Sequence, residues 1–247
     1  MLRSLATMGA ALWLQTALAL AGPATPVQIK AADGVSVFGL SYAADKPARA
    51  TILLFHQAGA SKGEYAEIAP RLAAEGFDVI AIDQRSGGAG IGGANQTVQA
   101  LGHSTDYAAA LPDLEAALAF ARAKASGKGV LVWGSSYSAA LVFLLAAKHP
   151  GDVTAVLAFS PGEYIQGESV RGAAARLAVP VFVTSASDKS EIAAAKAVVA
   201  AVPAGKGTQF APHNGVHGSS TLRKSANAAG HDENWSAVEA FLKQAAP

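Results

Sequence analysis

The sequence predicts an α/β fold: a three-layer sandwich with helices on both faces of a mostly parallel, doubly wound sheet. Short apolar segments alternate with Ala- and Leu-rich stretches along most of the chain, as expected for consecutive strand–helix–strand units. Some of these segments, such as Thr51–Phe55 and Val181–Val183, are continuously apolar, which is typical of strands buried on both faces. The 247-residue length suits one domain, and we expect it to span 22–247.

The N-terminal segment has the pattern of a secretory signal peptide. Arg3 precedes an apolar run from Leu5 to Ala21 that ends in small residues, giving a basic start, an apolar middle and an Ala-x-Ala cleavage pattern. We therefore expect residues 1–21 to be removed, leaving a periplasmic or secreted protein with no membrane contact. An uncleaved anchor helix is the alternative, but the run is short for a membrane span.

The next elements follow in order. A turn at Asp33-Gly34 separates two strands, Val27–Ala31 and Val35–Tyr42, and predicts an N-terminal antiparallel hairpin. The later strands are predicted at Ala50–His56, Phe77–Asp83, Gly129–Gly134, Val153–Ser160, Val181–Ser185 and Gly207–Ala211. The helices are predicted at Lys62–Glu75, Tyr107–Ala125, Tyr137–Lys148, Tyr164–Leu177, Lys189–Val202 and Asn234–Gln244.

Composition excludes several classes of function. The chain has no cysteine, so disulfides, zinc–thiolate sites, iron–sulfur clusters and a cysteine nucleophile are ruled out. Its net charge is +1 with no basic cluster, which argues against a nucleic-acid partner. We expect a small-molecule substrate and no cofactor; nothing in the sequence specifies an oligomeric state.

The junction after the strand Gly129–Gly134 carries the strongest chemical signal. Gly134, Ser136 and Ser138 form G-x-S-x-S, close to the G-x-S-x-G pattern that exposes a serine on a sharp strand-to-helix turn. Ser136 occupies the nucleophile position. An ordinary turn with a serine helix cap is the alternative.

The loop after Thr51–Phe55 is the candidate oxyanion loop. Acyl transfer needs two backbone N–H donors for the developing oxyanion. We expect one from Tyr137 and the other from Ala58 or Gln57. His56, at the end of the strand, is expected to be a structural anchor.

The candidate acid and base follow in chain order. Asp188 comes shortly after a buried strand and could orient a histidine, although it could equally cap the next helix. Glu163 is the rival acid. His217 lies in a loop after the last strand and is the expected base. The His213-x-x-x-His217 spacing resembles a metal site, but Pro212 and Gly215 argue against the helix this would need, so no metal is expected.

These motifs resemble those of the α/β-hydrolase superfamily, and within it the compact dienelactone-hydrolase-like group. The resemblance covers almost all of the mature chain. It rests on His56-Gln57-Ala58-Gly59, Asp83-Gln84-Arg85, Gly134-Ser135-Ser136-Tyr137-Ser138, Ser187-Asp188 and His217-Gly218. It implies a triad of Ser136, Asp188 and His217, oxyanion donors at Ala58 or Gln57 and at Tyr137, and a structural role for Asp83 and Arg85.

Two departures qualify the resemblance. Dienelactone hydrolases use a cysteine where this chain has Ser136, which points toward ordinary esters. Ser138 stands where the G-x-S-x-G turn, called the nucleophile elbow, has its last glycine. In addition, the stretch 161–179 is too short for a full lid domain. We therefore expect a serine hydrolase of small or medium carboxylic esters. The alternatives are an amide, peptide or thioester hydrolase of the same fold, and a binding module with an unused site.

A dinucleotide site at Gly88–Gly93 is not expected, because no helix follows that segment directly; we expect a mobile loop there.

Overall fold

A computed structural model describes residues 22–125 and 128–247, and the expected signal peptide, 1–21, lies outside these residues. The described residues contain one eight-stranded sheet in the order β1-β2-β4-β3-β5-β6-β7-β8. Its strands are β1 (Thr25–Lys30), β2 (Ser36–Tyr42), β3 (Thr51–Phe55), β4 (Asp78–Ile82), β5 (Val130–Ser135), β6 (Ala155–Phe159), β7 (Val181–Thr184) and β8 (Gly207–Phe210).

The pairing confirms the predicted mostly parallel sheet with an N-terminal antiparallel hairpin. β1 pairs with β2 and β2 with β4 in antiparallel fashion, whereas the remaining pairs are parallel. The chain runs from β3 outward to β4 and then returns to place β5 on the other side of β3. The loops after β3 and β5 therefore leave the same sheet edge in opposite directions, and such switch points open a crevice for ligands.

The helices cover both faces of the sheet, but several are shorter than predicted. The single helix expected over Lys62–Glu75 is a 3₁₀ turn at Lys62–Tyr65 followed by a short α-helix with Pro70 in its first turn. Pro70 has no N–H to continue a preceding helix. The helices are α1 (Ala69–Ala74), α2 (Gln96–Leu101), α3 (Leu111–Lys124), α4 (Tyr137–Lys148), α5 (Val170–Ala174), α6 (Lys189–Val199) and α7 (His231–Ala245).

Alternate residues of the central strands supply two separate cores. Leu53 and Val132 pack on the face covered by α3, α4 and α5. Ile52 and Leu131 belong to the opposite core, which contains residues of α1 and α7. Because both faces are buried, the functional groups of the central strands can reach solvent only at the strand ends.

The connection between β6 and β7 forms no lid domain. Its one α-helix, α5, has five residues, as the sequence predicted. In the part of the chain that the structure describes, no helix has the length and apolar character needed to cross a membrane.

Candidate active site

Ser136 lies on a strained turn between β5 and α4. Its backbone has φ 58° and ψ −120°, a combination that a residue with a side chain adopts only when its surroundings impose it. Here the N–H of Ser136 donates to the carbonyl of Phe159 on β6, and the carbonyl of Ser136 accepts the N–H of Ala139 at 2.8 Å each. The turn therefore holds the Ser136 side chain at the edge of the sheet.

The two flanking positions of the G-x-S-x-S pattern have clear structural reasons. A Cβ on Gly134 would lie 2.2 Å from the carbonyl oxygen of Ser138, so the close approach of α4 to β5 requires glycine there. Ser138 uses its hydroxyl, which donates to the carbonyl of His56 and accepts from Gln84 Nε2 at 2.6 Å each. The departure from glycine at position 138 thus ties the elbow to the end of β3.

His217 reaches Ser136, as the sequence predicted. Its Nε2 lies 2.8 Å from Ser136 Oγ, and the histidine side chain is 42% exposed. The loop that carries His217 continues into Gly218, whose φ of 67° suits glycine and whose added Cβ would lie 2.4 Å from Ser135 Oγ. Glycine at 218 therefore allows the histidine loop to pack closely on the elbow.

The acidic partner of His217 is Glu191, and the prediction of Asp188 for this position was wrong. Glu191 Oε1 lies 2.7 Å from His217 Nδ1. Asp188 is the N-cap of α6 and accepts the N–H groups of Ser190 and Glu191, which was its alternative role. The rival Glu163 instead accepts the N–H of Val170 at the start of α5.

The position of Glu191 in the first turn of α6 explains how it reaches the histidine. A helix beginning at Lys189 turns the third residue after the cap back toward the strand end, as in a capping box. The N–H of Ala186 and the hydroxyl of Ser160 both donate to Glu191 Oε2, at 3.0 and 2.7 Å. Burial raises the pKa of Glu191, but these bonds and the bond from His217 outweigh it and lower the pKa to about 2. Glu191 is therefore a carboxylate at neutral pH.

Ser160 is a second residue that the sequence did not single out. It lies at the end of β6 with φ 56°, and its hydroxyl donates to Glu191 while accepting the N–H of Gly218 at 2.9 Å. Ser160 thus fixes the acid relative to the loop of the histidine. A positive φ in a non-glycine residue cannot be read from residue types alone, which is why no sequence pattern indicated this role.

The oxyanion loop lies beside the elbow because β3 and β5 are paired. Phe55 on β3 is opposite Gly134 on β5, so the segments after the two strands begin side by side at the same end of the sheet. Gln57 is excluded as an oxyanion donor, because its N–H already donates to buried Glu64 Oε2 at 2.8 Å. The sequence left Gln57 and Ala58 open; Ala58, which is exposed, and Tyr137, the first residue of α4, are the remaining candidates.

His56 is a buried anchor. The ring lies 2.9 Å from the carbonyl of Gln57 through Nδ1, and Nε2 accepts the N–H of Gln84 at 3.0 Å. Complete burial lowers the pKa of His56 to about 4, so the imidazole is neutral. Its neutral ring joins the end of β3 to the segment after β4.

The segment after β4 is fastened to the oxyanion loop. Asp83 accepts from the N–H and the ammonium of Lys62, which follows the oxyanion loop. Arg85 in the same segment turns away from that loop and pairs with buried Asp113 of α3 at 2.7 Å. The glycine-rich stretch is also held: the N–H of Gly88 donates to the carbonyl of Ala60 at 2.8 Å. This bond joins the start of the stretch 88–93, where we had expected a mobile loop, to the end of the oxyanion loop.

A cavity of about 340 Å³ is lined by Asp106, Tyr107, Ala108, Tyr164 and Gln166. The ring of Tyr107 stacks on that of Tyr137, with centroids 4.4 Å apart. Burial, together with the negative charge of Glu191, raises the pKa of Tyr164. Two aromatic rings, exposed by 38% and 39%, therefore line this cavity, and one of them contacts Tyr137, the residue after Ser136.

The His-x-x-x-His spacing does not bring its histidines together. His213 contacts Glu233 at 2.8 Å, whereas His217 contacts Glu191 and Ser136. Across 22–125 and 128–247, no cluster of three or more His, Asp or Glu residues could hold a metal ion.

Solved structures similar to this chain are esterases and a related hydrolase. An esterase of Pyrococcus furiosus superposes with a TM-score of 0.67 at 18% identity, covering 90% of this chain and 92% of its own. A thermostable carboxyl esterase of Bacillus coagulans gives 0.69 at 10% identity, covering 91% and 99%. A dienelactone hydrolase of Anabaena variabilis gives 0.62 at 15% identity, covering 79% and 88%. At these identities the similarity establishes the shared fold.

Sequence comparison identifies the family. No curated protein is similar enough in sequence to count as a relative. The family model described as serine aminopeptidase, S33, matches residues 46–216, which is well over half of the chain and includes β3 to β8, Ser136 and Glu191. With this match and the eight-stranded sheet, the chain belongs to that hydrolase family within the α/β-hydrolase superfamily.

Proposed function

We propose that this protein hydrolyses carboxylic esters of small or medium acyl groups, with Ser136 as nucleophile, His217 as general base and Glu191 as the acid that orients the histidine. The observation that carries the proposal is the continuous chain of contacts from Ser136 Oγ to His217 Nε2 at 2.8 Å and from His217 Nδ1 to Glu191 at 2.7 Å. A nucleophile, a base and an orienting carboxylate in this order are what acyl transfer needs.

Glu191 sets the tautomer of the histidine. Its carboxylate accepts the Nδ1 hydrogen of His217, which leaves the Nε2 lone pair free to take the Ser136 proton. As that proton moves, Ser136 Oγ bonds to the ester carbon. The oxyanion then lies near the N–H groups of Ala58 and Tyr137. The Glu191 carboxylate stabilises the imidazolium that forms.

Three further proton transfers complete the reaction. His217 returns its proton to the departing alkoxide as the ester C–O bond breaks, giving an alcohol and an acyl group on Ser136. Water then gives a proton to His217 and attacks the acyl carbon, and His217 returns that proton to Ser136 Oγ as the acid is released. Both steps use the same residues and need no cofactor.

The cavity lined by Tyr107 and Tyr164 supports a planar substituent. Its volume of about 340 Å³ is at the small end of the range for small-molecule sites. Tyr107 and Tyr164 offer aromatic faces, which favour flat rings by stacking or edge-on contact. We therefore propose that the bulkier group of the ester, an aromatic ring in particular, lies between these tyrosines.

A fluorophosphonate probe and p-nitrophenyl acetate test the proposal together. We expect the probe to modify Ser136, located by peptide mass spectrometry, and to abolish ester turnover, while Ser136→Ala neither reacts nor turns over. Ser138→Ala, which removes a hydroxyl from the same elbow, should still be labelled. Absence of labelling and of turnover in folded wild-type protein would refute the proposal.

Amide or peptide hydrolysis is the second candidate, favoured by the family description, serine aminopeptidase. The same residues would serve, with His217 protonating an amine. Comparing p-nitroanilides with p-nitrophenyl esters of the same acyl group separates the two, because an aminopeptidase should hydrolyse aminoacyl anilides at rates comparable to the esters.

We also propose that the protein is exported after removal of residues 1–21. The support is the basic, apolar and small-residue pattern that begins at Arg3 and ends at Ala21. Expression of the full chain in a bacterium, followed by N-terminal sequencing of the periplasmic and secreted fractions, should give a chain that begins at Gly22. A cytoplasmic protein that retains Arg3 would contradict export.

A further inference from the structure

Glu64 is a completely buried carboxyl group that the proposed reaction does not use. It lies in the 3₁₀ turn Lys62–Tyr65, just after the oxyanion loop, and has no solvent exposure. A buried carboxylate is costly unless hydrogen bonds compensate for lost hydration. Its partners therefore indicate why it is there.

Three donors converge on this carboxylate. Its Oε2 accepts the N–H of Gln57 at 2.8 Å, and its Oε1 accepts Gln57 Nε2 at 3.0 Å and the Ser135 hydroxyl at 2.8 Å. Burial raises the pKa of Glu64, and these bonds oppose the rise. Because both oxygens act as acceptors, the contacts are those of an ionised carboxylate.

The partners of Glu64 belong to the segments that carry the proposed reaction. Gln57 immediately precedes Ala58, and Ser135 immediately precedes Ser136. Ser135 Oγ also accepts the N–H of Ser219 at 2.8 Å, two residues after His217. A second link runs from Gln57 Nε2 to the hydroxyl of Ser220 at 3.2 Å.

We propose that Glu64 is a positioning residue: one carboxylate holds the oxyanion loop, the nucleophile elbow and the histidine loop in a fixed relation. The proposal rests on the hydrolysis proposed above. The bond to the N–H of Gln57 holds the backbone just before Ala58 in place. The N–H of Ala58 is therefore directed at the oxyanion before the reaction begins, and the loop need not rearrange during it. The Ser135 bond does the same for the start of the elbow.

The charge of Glu64 adds an effect that packing alone would not produce. Together with Glu191, whose hydrogen bond is the larger cause, it raises the pKa of His217 against the opposing effect of burial. It therefore favours the imidazolium that forms as Ser136 attacks. Loss of this charge should move the acid limb of the pH profile of kcat/KM to lower pH.

Glu64→Gln tests both effects because it keeps the shape of the side chain. In the variant, the amide nitrogen takes the place of either Oε1 or Oε2 of Glu64. Each of these oxygens now accepts from a donor, so at least one of the present hydrogen bonds is lost. For p-nitrophenyl acetate we expect kcat to fall about 10- to 100-fold, as for partial loss of an oxyanion arrangement. KM should stay within about twofold, and the acid limb should move to lower pH.

Asp113→Asn is the matched control. Asp113 is also buried and accepts from the N–H and guanidinium of Arg85, but it bonds none of the three segments. It should lower the melting temperature while leaving kcat per folded molecule and the acid limb unchanged. A Glu64→Gln enzyme whose kcat and acid limb match wild type would overturn the proposal.

Ser135→Ala keeps the test decisive if Glu64→Gln does not fold. It removes the link from Glu64 to the elbow and to Ser219 but leaves the charge of Glu64, so we expect kcat to fall while the acid limb stays in place. Wild-type kcat in this variant would overturn the positioning role. Turnover of the wild-type enzyme, measured in parallel, separates the two proposals. If the wild-type enzyme does not hydrolyse the ester, the proposed function fails. If the wild-type enzyme is active and the variants have the same kcat, only the role of Glu64 is refuted.

Discussion

Glu191→Gln and Asp188→Asn together test which carboxylate orients His217. Each variant replaces a carboxylate by an amide of nearly the same shape. Glu191 contacts His217 Nδ1 at 2.7 Å, whereas Asp188 is fully exposed and caps α6. We expect a large loss of kcat in the first variant and almost none in the second.

The size of the loss follows from the groups around Glu191. The N–H of Ala186 and the Ser160 hydroxyl donate to Oε2, so an amide nitrogen there would face a backbone donor that cannot rotate away. In the Glu191→Gln variant the amide nitrogen should therefore point at His217 Nδ1. The histidine would then carry its hydrogen on Nε2, the tautomer that cannot accept the Ser136 proton.

Loss of the charge adds to the wrong tautomer. A unit charge about 4 Å from an imidazolium is worth about 4 kcal/mol at an effective dielectric constant near 20. Since the His217 side chain is 42% exposed, we expect solvent screening to leave roughly half. Half of that figure corresponds to about 30-fold in rate. With the tautomer effect, kcat should fall on the order of 10³- to 10⁴-fold, as for other triads that lose the acid.

The assay is kcat for p-nitrophenyl acetate, with active-site concentration taken from fluorophosphonate titration and folding from circular dichroism. Asp188→Asn should retain kcat within about twofold and nearly the wild-type stability, because Asn caps helices nearly as well as Asp. The assignment of Glu191 would be refuted if its variant kept more than a tenth of wild-type kcat. A collapse of activity in Asp188→Asn alone would restore the acid expected from the sequence.

Three further predictions concern pH, the elbow and the cavity. The Glu191 hydrogen bond raises the pKa of His217 above 6.5; since the base must be neutral, kcat/KM should rise with pH through a value above 6.5, and Glu191→Gln should move that limb to lower pH. A limb at or below 6.5 in wild type would contradict this. Gly134→Ala places a methyl group 2.2 Å from the Ser138 carbonyl and should cost about 3 kcal/mol, seen calorimetrically as a melting temperature lower by about 6–12 °C; an unchanged melting temperature would show that α4 can move away. Tyr164→Leu should raise KM about 2- to 10-fold more for p-nitrophenyl benzoate than for p-nitrophenyl acetate, because an aromatic pair contributes about 0.5–1.5 kcal/mol. Equal changes in KM for the two esters would show that the benzoyl ring binds elsewhere.

Local patterns were sufficient for the sheet and for part of the site. Continuous apolar runs located β3 to β7, because burial on both faces imposes that pattern. The less buried strands β1 and β2 were located instead by the Asp33-Gly34 turn between them. The G-x-S-x-S sequence located the turn because close packing at Gly134 and the position of Ser136 restrict residue types locally. The helix predicted over Lys62–Glu75 was too long because Pro70 has no N–H to continue a preceding helix, and α5 covers only Val170–Ala174 of the predicted Tyr164–Leu177.

The acid could not be assigned from local patterns because two carboxylates stand within one turn of the same helix. Asp188 satisfied both the rule for the triad acid and the rule for an N-cap, and capping requires only the helix that follows it. Glu191 needs the nearby N–H of Ala186 and two groups distant in sequence, the His217 ring and the hydroxyl of Ser160. Ser160 reaches it from the end of β6 at a positive φ, which residue types do not encode. A site that depends on side chains from three strand ends is therefore decided by tertiary structure, even where each strand end is evident in the sequence.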